Sequence, residues 1–171
     1  MKRLMAGTAV IVGLVGGIAL SPIGGAFAGH ENTVLEATLD GRAELDAAAA
    51  NKSIGGDPNW RGEAYVFGID GDSKTLCYVL TVSKIAPATA AHIHAGPEGA
   101  NGPVVVNLAR PTDGNAADCL TEGEILPSGA PAFAPGTTAA SILANPAAFY
   151  VNVHNADYPG GAIRVQLSKQ G

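Results

Sequence analysis

The chain has 171 residues, 15% of them charged, and a formal net charge of −5. No basic cluster follows Arg3, and nucleic-acid affinity comes from Lys and Arg set against phosphates, so the composition excludes a nucleic-acid binder. Aromatic residues make up only 5%, which leaves a core to be built from Val, Leu, Ile and Ala.

Met1-Lys2-Arg3 is a basic head, Leu4 to Leu20 is uncharged and apolar, and Ala26-Phe27-Ala28 is a small-x-small site. This layout predicts a secretory signal peptide over residues 1–28, cleaved between Ala28 and Gly29. An uncleaved anchor is the other reading, since the apolar run is nearly long enough to span a membrane. The break at Ser21-Pro22 and Gly24-Gly25 favours cleavage, which would leave no stable span. Residues 29–171 are then one domain by length, and more acidic than the whole because Lys2 and Arg3 are lost. His30 would stand second in that chain, whereas an amino-terminal copper clamp needs it third.

An exported chain with two cysteines, Cys77 and Cys119, is expected to join them in a disulfide. Closing that loop stabilises by about 4 kcal/mol in the chain-entropy account. Free thiols acting as soft metal ligands are the other reading, but neither cysteine lies in a C-x-x-C or beside a histidine.

Thr33 to Leu39 alternates apolar and polar residues and predicts a half-buried strand ending at Gly41. Ala43 to Ala50 suits either a short helix or an irregular crossing, and residues 51–59 read as loop. Trp60 to Ile69, the turn Asp70-Gly71-Asp72, and Thr75 to Val82 predict a hairpin. Ala90 to Gly96 predicts a strand, followed by turns at Gly96-Pro97-Glu98-Gly99 and Asn101-Gly102-Pro103. Val104 to Leu108 and Thr121 to Leu126 are further expected strands, with an irregular Pro- and Gly-rich stretch over residues 127–136. Thr137 or Thr138 caps a short helix through Leu143, and Pro146 lies just past its end. Ala148 to His154 and Ala162 to Leu167 are the last strands, the latter with Ile163, Val165 and Leu167 facing in and Arg164, Gln166 and Ser168 facing out. Many short strands and one short helix predict an all-β sandwich or flattened barrel.

Three of the four histidines fall in two of these strands. His92 and His94 are two apart, so they share a face about 6.5–7 Å apart along the strand. On the other strand Tyr150, Asn152 and His154 share a face. Should the strands lie side by side, His92, His94 and His154 converge as ligands for a copper or zinc ion. On that reading Asn152, Tyr150 and Asp157 are candidates to orient the ligands from behind. The competing reading is structural: the histidines donate to backbone carbonyls and hold the Gly-Pro turns, and Asp157 merely opens the turn at Tyr158-Pro159. Arg164 is expected in an ordinary ion pair with Glu98 or Asp157.

Ala91-His92-Ile93-His94-Ala95-Gly96, Gly102-Pro103-Val104-Val105-Val106, Phe149-Tyr150-Val151-Asn152-Val153-His154 and Pro159-Gly160-Gly161-Ala162-Ile163-Arg164 together resemble the two signatures of the CHRD domain. The resemblance covers about residues 33–168 and implies an immunoglobulin-like, Greek-key all-β fold outside the cytoplasm, with no settled catalytic activity. Ala43-Glu44-Leu45-Asp46 lacks the prolines usual at the start of the domain. A weaker similarity joins His92, His94 and His154 to three copper ligands of copper/zinc superoxide dismutase, although the bridging histidine has no counterpart.

No G-x-S-x-G nucleophile motif is present, and nothing pairs two carboxylates across a cleft as a glycosidase requires. The sequence therefore points to an exported or cell-envelope binding or structural module, with a copper or zinc site at His92, His94 and His154. A dismutase-like metalloenzyme and a metal-free module for an extracellular protein or polysaccharide partner are the alternatives.

Overall fold

A computed structural model describes residues 34–45, 55–84 and 87–169. The predicted signal peptide, its Ala28–Gly29 junction and His30 lie outside these residues. Eight strands form one antiparallel sheet: β1 (Val34–Asp40), β2 (Arg61–Ile69), β3 (Asp72–Ser83), β4 (Ala88–Ala95), β5 (Val104–Leu108), β6 (Asn115–Thr121), β7 (Phe149–Asn155) and β8 (Ile163–Gln166). Their order across the sheet is β5-β4-β7-β8-β1-β2-β3-β6. The sheet curls into a nearly closed, flattened barrel. The segment after β6 completes the wall: Ala132 donates to Glu124, while Ala134 donates to Val105 and Asn107 to Ala132, along the free edge of β5.

The inner faces supply the core. Leu35, Leu39, Val66, Leu76, Leu80, Ile93, Val106, Leu120, Val151, Val153, Ile163 and Leu167 are buried. They are the members of each strand that alternation aims one way, and their burial is the main stabilising term. Helix α1 (Ala139–Ala144) is capped by a reciprocal pair, Ser141 N–H to the Thr138 hydroxyl and Thr138 N–H to the Ser141 hydroxyl, and inserts Ile142 into the core. The β2–β3 hairpin turns at Gly71, whose φ of 75° is the left-handed conformation that glycine enters freely.

Two expectations need correcting, and one open alternative is narrowed. The strand placed at Thr121 to Leu126 lies earlier, at Asn115–Thr121. Its residues are mostly exposed and carry little apolar pattern. What makes it a strand is pairing with β3 from Thr75↔Thr121 to Thr81↔Asn115, reinforced by the Cys77–Cys119 disulfide. Second, the alternative left open for Ala43 to Ala50 is narrowed only at its start: a turn of 3-10 helix at Gly41–Ala43 gives way to extended backbone at Glu44, and residues 46–54 lie outside the described ones. Third, Arg164 does not face solvent. It is 2% exposed, because the turns at residues 96–103 fold over the outer face of β7 and β8.

Candidate metal centre

The two histidine strands are neighbours. β4 pairs with β7 in a register that sets Ala90 opposite His154, His92 opposite Asn152 and His94 opposite Tyr150. Cross-strand pairs on one face bring side chains into contact. His92, His94 and His154 accordingly gather on the outer face, with one nitrogen from each lying within 4.8 Å of the others. Ring centroids stand 4.9 Å apart for His92 and His154, 5.5 Å for His92 and His94, and 6.4 Å for His94 and His154.

Backbone carbonyls fix two of the rings. His94 Nδ1 donates to the Gly102 carbonyl at 2.8 Å, and His154 Nδ1 donates to the Pro159 carbonyl at 3.0 Å. A carbonyl only accepts, so in each neutral ring the proton is on Nδ1 and the lone pair on Nε2. The Nε2 of His94 is buried and has no hydrogen-bond partner. His92 Nδ1 stands 3.1 Å from His154 Nε2, and Asn152 Oδ1 lies 3.1 Å from that same nitrogen.

Burial sets the charge state. It pushes the His92 pKa down to about 4, with the nearby His154 and His94 adding to the shift. Burial also lowers His94, against the Gly102 carbonyl, and lowers His154, against the Pro159 carbonyl. These shifts all favour the neutral ring, the form that offers a lone pair to a metal.

Behind the cluster the packing is tight. His94 stacks on Tyr150 with centroids 4.8 Å apart and planes 9° apart, and the Arg164 guanidinium covers the other face of that ring at 3.4 Å. Arg164 donates to Asn101 Oδ1 at 2.9 Å and to the Ala100 carbonyl at 2.6 Å, which ties the turn over β7. Its hydrogen-bond partners are therefore Asn101 and Ala100, not the expected Glu98 or Asp157. The Tyr150 hydroxyl accepts from Gly102 N–H at 3.1 Å, so Tyr150 and His94 both hold the same glycine. Asp157 is exposed in the turn after β7, and the group bonded to His154 Nδ1 is Pro159.

Two contributors had no distinct mark in the sequence. Glu44 is 3% exposed, and burial pushes its carboxyl up to about 7, opposed by the Leu45 amide, the Arg164 charge and the Asn152 side chain. Gly102 reads in sequence only as turn chemistry; the loop's return path makes it the acceptor for His94. On the solvent side, His92 and Ala90 border a cleft of about 740 Å³ whose wall also carries Asn107, Arg110, Asp118 and Ser128.

An eight-stranded all-β domain that roofs a three-histidine cluster with its own turns defines the class of molecule: an all-β module whose polar site sits on the sheet itself. A family model for the CHRD domain matches residues 35–167, and the chain belongs to the CHRD domain family. No curated protein and no solved structure matches it. These comparisons show no similarity to copper/zinc superoxide dismutase.

Proposed function

We propose that this chain is an exported CHRD-domain binding module that holds one copper or zinc ion through His92, His94 and His154. The observation that carries this reading is His94 Nε2, a buried lone pair with no partner, in a ring whose other nitrogen is held by the Gly102 carbonyl. A buried polar atom left unpaired costs about 1–3 kcal/mol, and a metal ion supplies its missing partner. Metal-binding histidines characteristically donate their second nitrogen to a carbonyl in this way. The Cys77–Cys119 disulfide supports an oxidising, extracytoplasmic setting for the domain. Among the described residues no helix is long and apolar enough to cross a membrane.

The test is metal content of the protein purified from its export compartment, beside a His92→Ala/His94→Ala variant. About one copper or zinc per chain, lost in the variant, is the expected result. Protein that carries no metal and takes none up on titration would overturn the reading. A dismutase-like activity is the second reading, favoured by the position of His92 on the cleft. Superoxide turnover by the copper-loaded protein decides it, and no turnover leaves a binding or structural centre.

A further inference from the structure

We propose that Asn152 is a fourth ligand of the histidine centre, with its side-chain carbonyl oxygen completing a three-nitrogen, one-oxygen set that selects a divalent ion. The inference rests on the metal reading above and adds to it a donor that the histidine pattern does not contain.

Position comes first. Asn152 is the middle of a row that crosses three strands, opposite His92 on β4 and opposite Arg164 on β8. It is 2% exposed, and its Oδ1 lies 3.1 Å from His154 Nε2. Two ligands each about 2.0–2.1 Å from a tetrahedral metal stand roughly 3.3 Å apart. The 3.1 Å between His92 Nδ1 and His154 Nε2 fits the same spacing.

Hydrogen-bond accounting comes next. His154 spends its Nδ1 proton on Pro159, so the Nε2 of the neutral ring faces the Asn152 oxygen lone pair to lone pair. Turning the amide over would give His154 a donor. With Glu44 ionised, it would also aim the oxygen at a carboxylate whose buried Oε2 has no donor. The Asn152 amide favours the ionised Glu44 carboxyl, which puts its nitrogen on the acid's side and its oxygen toward the histidines, although Glu44 Oε2 itself makes no hydrogen bond. His94 Nε2 is a further acceptor without a donor. Within this cluster His92 Nδ1–H can satisfy one of these three acceptors; one cation satisfies all of them.

The chemistry of the set follows. Three neutral imidazoles and an amide oxygen carry no negative charge and no sulfur. Soft Cu(I) is poorly served by such an oxygen, whereas Zn(II), Cu(II) and Co(II) accept mixed nitrogen and oxygen donors. The Glu44 carboxyl behind Asn152 would polarise the amide and strengthen its oxygen as a donor, as a carboxylate does behind a ligating histidine.

The experiment titrates the metal-free full chain with cobalt(II), whose visible absorption reports its ligands, and with zinc in competition. Wild type is expected to take up one ion. Asn152→Ala should bind it at least about tenfold more weakly, with displaced cobalt bands. Asn152→Asp, which puts a charged oxygen in the same place, should bind more tightly than wild type. If Asn152→Ala folds and matches wild type in both affinity and spectrum, the proposal fails while the three-histidine reading stands. If Asn152→Ala does not fold, Asn152→Asp decides: tighter binding supports the ligand, equal or weaker binding overturns it. Wild type that binds no ion at all removes the metal reading together with this one.

Discussion

Gly102 meets two demands at once. A Cβ there would lie 1.6 Å from the Ala95 carbonyl oxygen, so only glycine lets the turn return close enough for its own carbonyl to reach His94. Gly102→Ala is expected to push this turn outward, free the His94 ring, and weaken metal uptake about tenfold or more, as loss of an orienting partner does. Equilibrium titration against wild type checks it, and unchanged affinity would mean the carbonyl does not position the ring. Glu44 and His92 make a pH prediction for the metal-free protein. The His92 pKa is depressed from 6.5 to about 4, so its stability contribution is present above 6.5 and is lost as pH falls toward about 4. The Glu44 pKa is raised from 4.5 to about 7, so its contribution is present below 4.5 and is lost as pH rises through about 7. The two oppose each other over nearly the same window. Glu44→Gln keeps the burial and removes the titration, so its unfolding midpoint should drop more steeply than that of wild type between pH 7 and pH 4.5. Parallel curves for the two proteins would count against it.

At the level of elements, β6 and β7 show opposite ways of holding a strand. β7 is covered on both faces: Val151 and Val153 enter the core, and Tyr150 and Asn152 are roofed by turns. β6 is an edge strand with mostly exposed side chains, joined to β3 by a ladder and one disulfide that spans 42 residues of sequence. Replacing Cys77 and Cys119 together by Ala should cost about 3–4 kcal/mol of unfolding free energy in the chain-entropy account. Hydrogen exchange should then show β6 opening first, with metal uptake at β4 and β7 retained. Loss of metal uptake in a variant that still folds would tie the two halves of the sheet more closely than this ladder implies. The helix α1 gives a smaller test, since Thr138→Ala removes its cap and should lower stability by about 1 kcal/mol in chemical denaturation.

For the molecule as a whole, binding to the folded state alone shifts the unfolding equilibrium. Zinc at a hundred times its dissociation constant should stabilise by about 2.7 kcal/mol, which for a domain of this size raises Tm by roughly 10 °C. A histidine variant should show no such rise. Substituting a core residue away from the site, such as Leu80→Ala, should instead lower the unfolding free energy by the cost of a cavity, about 2–5 kcal/mol, and with it Tm, and leave the zinc-induced rise in place. A zinc-induced rise equal in wild type and in His94→Ala would place the binding elsewhere on the chain.

Period-two alternation is a local property, so the sequence by itself determined that Leu35 and Leu39, Leu76 and Leu80, or Val151 and Val153 point one way, and hence that the fold is all-β. The same alternation put His92 with His94, and Asn152 with His154, on single faces. The Gly71 turn and the Thr138 cap were legible for the same reason, because their chemistry acts over two to four residues. Strand order and covering loops are not local. Only the tertiary structure decided that β4 lies beside β7 and sets His92 across from Asn152. It also decided that a face patterned as polar is roofed, burying Arg164 and Asn152 where alternation alone would leave them in water. That roof makes the site, since it withdraws water from His94 Nε2 and leaves its lone pair without a partner.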